Sequence, residues 1–411
     1  MPFKRFTRMV RKLKGGMRNM ASVFDSPNKL LFGMGSSKTI GEKLKELGVT
    51  KVLFIYDQGI KSAGIVDIIT EYVTASGIEI VTYDKVEPNP PDYSVNEAAE
   101  LGLRENVNGI LAVGGGSSLD TGKGVRILLS YKGPISNYYA KLDSAPLDEK
   151  IMKPLIVLPT TAGTGSEATP GGVITDSLTH IKRPIICGVS LGIIDPALHV
   201  NLPSAITAAT GFDTLCHAVE AVTSKHSNRI SDVLGLEAIT LVGKHLRTAV
   251  KDGSNLEARE GMALAATLAG MSLRGPFGGI PHDLGSPLSS VYSIPHGNAV
   301  AFLLAEALSY IAPAAPDKVR LVAEALGADI PAEASSEQIG DIARATVNSL
   351  YSDANMPTMK SFIPNKEEML ANIDKFYKPS VFSPRPLDLE AATMILSNSY
   401  DKSYAKQPER I

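Results

Sequence analysis

Apolar and polar residues follow two alternating patterns in the first half of the chain. Short apolar runs, such as 51–56 and 109–113, are each followed by stretches in which apolar residues recur at helical spacing. Further strand-like runs lie at 78–83 and 154–159, and helical patterns lie between the runs at 65–73, 95–104 and 121–131. Strands that alternate with helices predict β-α-β units around a parallel sheet.

The pattern changes after Pro203. Four stretches are rich in alanine and leucine and have helical periodicity, at 205–224, 230–250, 256–273 and 300–311. Strand-like runs become rare there, so the second half is predicted to be all-helical. The chain is therefore expected to contain an extension at 1–23, an α/β domain at 24–200 and a helical domain at 201–411, and the motifs described below assign dinucleotide binding to the α/β domain and metal and substrate binding to the helical domain.

Composition narrows the class of protein. The 411 residues are 44% hydrophobic and 20% charged, with a formal net charge of −2. These values exclude collagenous and disordered chains, and near-neutral charge gives no general electrostatic reason to bind nucleic acid. Two cysteines cannot form a disulfide framework, which favours a reducing compartment. The composition predicts a soluble cytoplasmic enzyme.

The first 23 residues depart from this neutrality, since they hold seven lysines and arginines and no acid. Phe3, Phe6, Met9 and Val10 recur among them at helix-like spacing. A membrane surface or an organelle importer can recognise such a segment, and a basic extension without that role is the alternative.

A glycine-serine run, Gly114 to Asp120, lies between a predicted strand and a predicted helix. Glycines let backbone N–H groups approach an anion closely, and a helix N-terminus adds partial positive charge. The run does not match G-x-G-x-x-G, and Gly122-Lys123-Gly124 fails the P-loop pattern. It indicates either a phosphate cradle or a tight structural turn.

Two further polar positions follow predicted strands, namely Asp57 and the loop from Thr160 to Glu167. The carboxyl ends of parallel strands lie at one edge of a sheet, where open α/β sheets bind ligands. Asp57 could accept hydrogen bonds from a ribose diol and repel a 2′-phosphate, or it could be an ordinary turn residue. Together the loops predict a dinucleotide site formed by Asp57, Gly114, Gly115, Gly116, Ser117, Ser118, Asp120, Thr160, Thr161, Thr164 and Ser166.

A second cluster of candidate residues lies in the helical half. Asp213 and His217 are four residues apart and share one helix face, although such pairs are often only hydrogen-bonded surface pairs. His282 and His296 lie in glycine- and proline-rich segments, where irregular backbone often carries functional residues. Three imidazoles and a carboxylate suit a divalent first-row metal.

Several motifs in order resemble those of the iron-containing (group III) alcohol dehydrogenase family, from about residue 24 onward. They are the runs at 114–120, 159–167, 194–196 with 202–203, 211–220 and 295–298. The resemblance implies a Rossmann-like domain, a helical domain and a site in the cleft between them. It implies that Asp213, His217, His282 and His296 are the metal ligands and that the glycine-serine and threonine loops hold NAD(P). It also implies a homo-oligomer, at least a dimer.

One position departs from the family pattern. Many members have a further histidine four residues after the third ligand, and that position is Ser286 in this chain. The departure puts the proton route and the substrate preference in doubt. Some relatives, including the hydroxyacid–oxoacid transhydrogenases, also lack that histidine.

The resulting hypothesis is a metal-dependent, NAD(P)-linked interconversion of a primary alcohol and its aldehyde. Fe²⁺ or Zn²⁺ would be the Lewis acid, and no catalytic side chain beyond the metal centre is identified. Asp57 favours NAD over NADP, and Glu220, three residues after His217, could orient that imidazole or be an ordinary helix-face charge. The alternatives are a transhydrogenase with retained cofactor, and a non-catalytic or membrane-attached binding protein.

Overall fold

Six parallel strands form the main sheet of the computed structural model, which describes residues 28–141, 147–274, 276 and 278–402. Two further strands, β6 and β7, form an antiparallel hairpin. The strands are β1 Leu30–Phe32, β2 Lys51–Ile55, β3 Glu79–Tyr83, β4 Gly109–Gly114, β5 Leu155–Pro159, β6 Gly171–Thr175, β7 Lys182–Ile186 and β8 Leu191–Ile194.

The α-helices of the described residues connect these strands and continue to the end of the described chain. They are α1 Ile40–Glu46, α2 Gln58–Ser62, α3 Ile65–Thr74, α4 Asp92–Arg104, α5 Gly116–Leu128, α6 Ser204–Thr223, α7 Arg229–Lys251, α8 Leu256–Ser272, α9 Ile280–Tyr292, α10 His296–Ile311, α11 Pro316–Ala325, α12 Ser336–Asp353, α13 Lys366–Ala371 and α14 Leu389–Asp401.

The strand order of the main sheet is β1-β8-β5-β4-β2-β3. Strand β2 pairs with β3 on one side and with β4 on the other, with Ile55 opposite Tyr83 and Ala112 respectively. The chain therefore reverses its direction of winding between β2 and β4. Such a topological switch point is where open α/β sheets bind ligands, at the carboxyl ends of the strands.

Both faces of this sheet are buried. Val52 and Phe54 belong to one apolar core, which also contains side chains of α1 and α3. Leu53 and Ile55 alternate with them and belong to a second core, which contains side chains of α4 and α5. Helices on both faces of a parallel sheet confirm the predicted Rossmann-like class, because alternate residues of a strand point to opposite faces.

The described residues divide into two units. The first, called here the sheet unit, comprises residues 28–207 and 252–270, and the second, the helical unit, comprises 208–251 and 271–402. The sequence placed the stretch 256–273 with the helical half, whereas most of helix α8 packs in the sheet unit. Arg259 of α8 helps to hold this helix in the sheet unit, because its guanidinium donates to the carbonyl of Leu202 (3.0 Å) and to Thr207 Oγ1 (2.8 Å).

The described part of the helical unit contains helices and connecting segments and no strand, as the sequence predicted. None of the described helices is both long and apolar enough to cross a lipid bilayer. The basic extension at 1–23, for which membrane or importer contact was considered, lies outside the described residues.

Candidate metal centre and dinucleotide loops

Asp57 lies at the switch point, two residues after the end of β2. Its side chain caps helix α2, since Oδ1 accepts a hydrogen bond from the backbone N–H of Ile60 at 3.1 Å. Its other oxygen, Oδ2, accepts a hydrogen bond of 3.3 Å from Ser118 Oγ. The acid predicted to meet a ribose is therefore joined to the glycine-serine run that follows β4.

Glycines let the loops at this edge approach each other closely. Gly114 has φ +147°, and a Cβ there would lie 2.3 Å from Ser118 Oγ. A Cβ on Gly116 would lie 2.6 Å from Thr164 Cγ2, so the glycine-serine run and the threonine loop touch. Strands β4 and β5, which precede these two loops, also pair at their ends, because Thr160 N–H donates to the Gly114 carbonyl at 2.9 Å. Gly115, the N-cap of the 13-residue helix α5, places the N-terminus of that helix at the switch point.

Asp120 and Ser166, both predicted to bind cofactor, are bonded to each other. Ser166 Oγ donates to Asp120 Oδ1 at 2.7 Å, and the backbone N–H of Val173 donates to Asp120 Oδ2 at 2.9 Å. Burial raises the pKa of Asp120, and the charge of Lys123 opposes that rise. These contacts show that Asp120 links helix α5 to the threonine loop and to the β6–β7 hairpin.

Lys123 is a residue whose role the sequence did not reveal. It is fully buried, and its Nζ donates to the Ser166 carbonyl (2.7 Å), to Ser166 Oγ (2.8 Å) and to the Gly171 carbonyl (2.5 Å). Burial lowers the pKa of Lys123, and the nearby Asp120 carboxylate raises it. The sequence signal for burial was that Lys123 lies four residues after Leu119 and therefore on the same, inward face of α5.

The remaining predicted cofactor residues also lie at this edge of the sheet unit. Ser117 Oγ accepts a hydrogen bond from Asn89 N–H at 3.2 Å, and Thr161 Oγ1 lies 3.4 Å from the Cβ position of Gly115. Thr160 Oγ1 is buried and has no hydrogen-bond partner among the described residues. The structure thus brings the predicted loops together, with Asp120 and Ser166 beneath them.

Three helices of the helical unit present the predicted metal ligands. Asp213 and His217 lie on one face of α6, as the four-residue spacing predicted. His282 is the third residue of α9 and His296 the first residue of α10, so neither lies in the irregular backbone that the sequence suggested. The prolines preceding them are compatible with helix starts, because proline is tolerated in the first turn and at the N-cap.

All three histidines have a ring nitrogen near Asp213 Oδ1, and the donor atoms of Asp213, His217 and His282, without His296, all lie within 4.8 Å of one another. From this oxygen, His282 Nε2 lies at 3.4 Å, His296 Nε2 at 3.6 Å and His217 Nδ1 at 3.9 Å. The rings of His217 and His282 are stacked, with centroids 4.4 Å apart. Burial alone would raise the pKa of Asp213, but the charges of His217 and His296 hold it well below its usual range.

The donor atoms suit a divalent cation. Ligand atoms bound to one cation at about 2.1 Å in tetrahedral geometry are about 3.4 Å apart, close to the shorter of these distances. Asp213 Oδ1 and His282 Nε2 are both buried and have no hydrogen-bond partner among the described residues. Buried polar atoms are costly when unsatisfied, so a cation accounts for two atoms that the protein itself leaves unpaired. Cys216 is fully buried and packs as an apolar residue, as expected.

Glu220 contacts a different histidine from the one the sequence suggested. It lies on α6 with His217, but its carboxylate reaches His282 on α9. Its Oε1 accepts the backbone N–H of His282 at 2.9 Å, and its Oε2 lies 2.5 Å from His282 Nδ1. Burial lowers the pKa of His282, yet the carboxylates of Glu220 and Asp213 raise it overall, to about 10.

This fold, with a dinucleotide-type switch point and an Asp-His₃ cluster, defines a class of metal-dependent oxidoreductases. Comparison with known families agrees with that class. Residues 27–196 match the model of the iron-containing alcohol dehydrogenases, and residues 207–375 match the C-terminal model of the same family. The chain belongs to the iron-containing alcohol dehydrogenase family, and the predicted alcohol/aldehyde oxidoreductase class is confirmed.

Individual relatives share most of the chain. It is 38% identical over 388 residues to the choline dehydrogenase of Bacillus subtilis, spanning 92% of this chain and 95% of that protein. A solved 1,3-propanediol oxidoreductase has a TM-score of 0.85 and 34% identity, covering 92% of this chain and all of the other. The sulfoacetaldehyde reductase of Bifidobacterium kashiwanohense, solved in complex with NAD⁺, has a TM-score of 0.83 and 26% identity, covering 94% and 100%.

Proposed function

We propose that this protein interconverts a primary alcohol and its aldehyde with NAD, using a divalent cation bound by Asp213, His217, His282 and His296. Iron is the favoured cation because of the family to which the chain belongs. The carrying observation is the convergence of three imidazole nitrogens on Asp213 Oδ1 within 3.9 Å.

When both groups are bound, the cation supplies Lewis acidity at the substrate oxygen and the nicotinamide accepts or donates the hydride. The protein's residues bind and orient these groups. With a cation bound, the histidines would be neutral ligands and Asp213 would contribute the one negative charge of the set, and the stacked rings of His217 and His282 restrain each other. The N-terminus of α5 and the backbone of the glycine-serine run are suited to a pyrophosphate.

Ser286 follows His282 by one turn of α9, at the position where many family members have histidine. A hydroxyl can donate and accept a hydrogen bond, but it does not hold a proton near neutral pH as imidazole does. We therefore propose that Ser286 can orient a substrate hydroxyl or a water but does not act as a general base.

Turnover measurements test the proposed reaction. Purified protein loaded with Fe²⁺ or Zn²⁺ should reduce NAD with at least one of 1,3-propanediol, methanol and choline, or oxidise NADH with a short aldehyde. Chelation should abolish the activity and re-addition of metal should restore it. Metal-loaded protein without nicotinamide turnover on the whole panel would contradict the proposed function.

Cofactor preference provides a second test. Replacing Asp57 with serine removes a negative charge but keeps an oxygen that can cap α2. We expect the ratio of kcat/KM with NADP to kcat/KM with NAD to rise at least about tenfold, because a 2′-phosphate would no longer meet a carboxylate. Asp67→Ser, at an exposed acid of helix α3, is the matched control and should leave the ratio unchanged. An unaltered ratio in the Asp57 variant would show that this acid does not meet the ribose.

The transhydrogenase alternative predicts a different cofactor requirement. Such an enzyme would turn over 4-hydroxybutyrate and 2-oxoglutarate without added NAD, because its cofactor stays bound. The relatives described above are named as a dehydrogenase, an oxidoreductase and a reductase, and none of them is named as a transhydrogenase. Activity that depends on added NAD supports the proposed function over this alternative.

A further inference from the structure

Glu220 is a buried acid that contacts both the backbone and the ring of His282. It is 3% exposed, and both of its carboxylate oxygens contact this one residue. We infer that Glu220 is a positioning residue that holds the His282 ring in the tautomer and direction needed to bind the cation. This inference rests on the proposed function, because it assumes that His282 is a metal ligand.

The first contact fixes the start of helix α9. The first N–H groups of a helix have no partner within it, and His282 is the third residue of α9. The N-cap residue, Gly279, has no side chain to accept them, so Glu220 supplies the acceptor from α6. A negative charge is favourable at this end of a helix. Gly279 also leaves room for Glu220, since a Cβ there would lie 3.0 Å from Glu220 Cγ.

The second contact selects the tautomer of the ring. A histidine binds a metal as a neutral imidazole with one proton, so when Nδ1 donates to the Glu220 carboxylate, Nε2 has a lone pair. This Nε2 is the buried atom without a hydrogen-bond partner that lies 3.4 Å from Asp213 Oδ1. Rotating the ring by 180° about its bond to Cβ would remove Nδ1 from the carboxylate. Glu220 therefore favours one orientation of the ring, and in that orientation the lone pair points into the ligand cluster.

Glu220→Gln tests this role with little change in volume. The two donors of His282 meet different oxygens of Glu220, and a glutamine replaces one of these oxygens with an NH₂ group, which cannot accept. If its oxygen caps the helix, its NH₂ group faces Nδ1, which selects the tautomer with the proton on Nε2. We expect the affinity for Zn²⁺ or Co²⁺, measured by competition with a chelator, to fall about 10–100-fold. The visible absorption spectrum of the Co²⁺ form should change as well.

Asp232→Asn is the matched control. Asp232 is also a nearly fully buried acid of the helical unit, and it pairs with Lys318 at 2.6 Å rather than with the ligand cluster. This control should lower the unfolding temperature of the metal-free protein while leaving Co²⁺ affinity and spectrum as in the wild type. A Glu220→Gln variant with wild-type affinity and spectrum would overturn the inference, and its effects would then be only structural.

The Glu220→Asp variant provides a second test of this role if the glutamine variant does not fold. The shorter side chain keeps the charge but cannot reach both donors of His282 in the same place. The rise in unfolding temperature that Zn²⁺ produces should be smaller than in the wild type, and an equal rise would overturn the inference. Failure of the wild-type protein to bind either metal would instead contradict the proposed function.

Discussion

Replacing Asp213 with alanine should abolish metal binding and lower kcat/KM by about three orders of magnitude. Asp213 Oδ1 is the atom on which the three imidazoles converge, and Asp213 is the acid of the proposed ligand set. Lewis acidity contributes several kcal/mol to stabilising the transition state, and about 4 kcal/mol corresponds to about a thousandfold in rate. The remaining imidazoles are neutral ligands, so the site would lose the charge that favours a divalent cation.

Elemental analysis of the purified variant and steady-state kinetics measure this effect. Asp213 is buried among three imidazoles, so the unfolding temperature of the metal-free variant must also be recorded to exclude unfolding. His226→Ala is the control, since this histidine packs on Phe382 outside the cluster, and it should retain metal and activity. A folded Asp213→Ala variant that keeps metal and turnover would refute the assignment of Asp213 as a ligand.

Replacing Lys123 with methionine should destabilise the protein by about 3–5 kcal/mol and weaken NAD binding. Methionine is similar in length and apolar, but it leaves the Ser166 and Gly171 carbonyls without the donor that they share. It also leaves the buried Asp120 carboxylate without the opposing charge of Lys123. Removing the partner of buried polar and charged groups has a cost of this size, because those groups stay buried. The threonine loop depends on the same contacts, so cofactor affinity should fall too.

Denaturant unfolding and titration of the folded variant with NAD measure these two effects. Lys85→Met is the control in the same unit, because Lys85 forms an exposed ion pair with Glu97 and should change neither property detectably. An unfolding midpoint and an NAD affinity equal to those of the wild type would contradict the role assigned to Lys123.

Much of the sheet unit was predictable from local pattern. The runs at 51–56, 109–113 and 154–159 became buried strands, because continuous apolar runs are typical of sheets covered on both faces. The helix predicted at 121–131 begins earlier, at Gly116. Glycines and serines have low helix propensity, which hid the first turn, but this turn lies at the switch point, where close approach of the loops requires glycine.

The candidate ligands were also predictable only in part from local pattern. Their chemistry and the shared face of Asp213 and His217 follow from residue type and helical period alone. The helical positions of His282 and His296 were missed because nearby prolines and glycines are typical of loops, although prolines also fit helix starts. The partner of Glu220 could not be derived from its spacing to His217, since that spacing says nothing about the neighbouring helix.

The sequence by itself determined the fold class, and it supplied the donor set proposed for a divalent cation and the polar loops that follow β2, β4 and β5. Only the tertiary structure decided that Glu220 contacts His282, that Lys123 and Asp120 support the threonine loop and that nitrogens of three histidines lie within 3.9 Å of Asp213 Oδ1. The physical reason is that periodicity specifies which side chains share a face of a helix or strand. Which two faces meet is decided by long-range packing, and the contacts of Lys123, Asp120 and Glu220 join residues 43 to 62 positions apart in the chain.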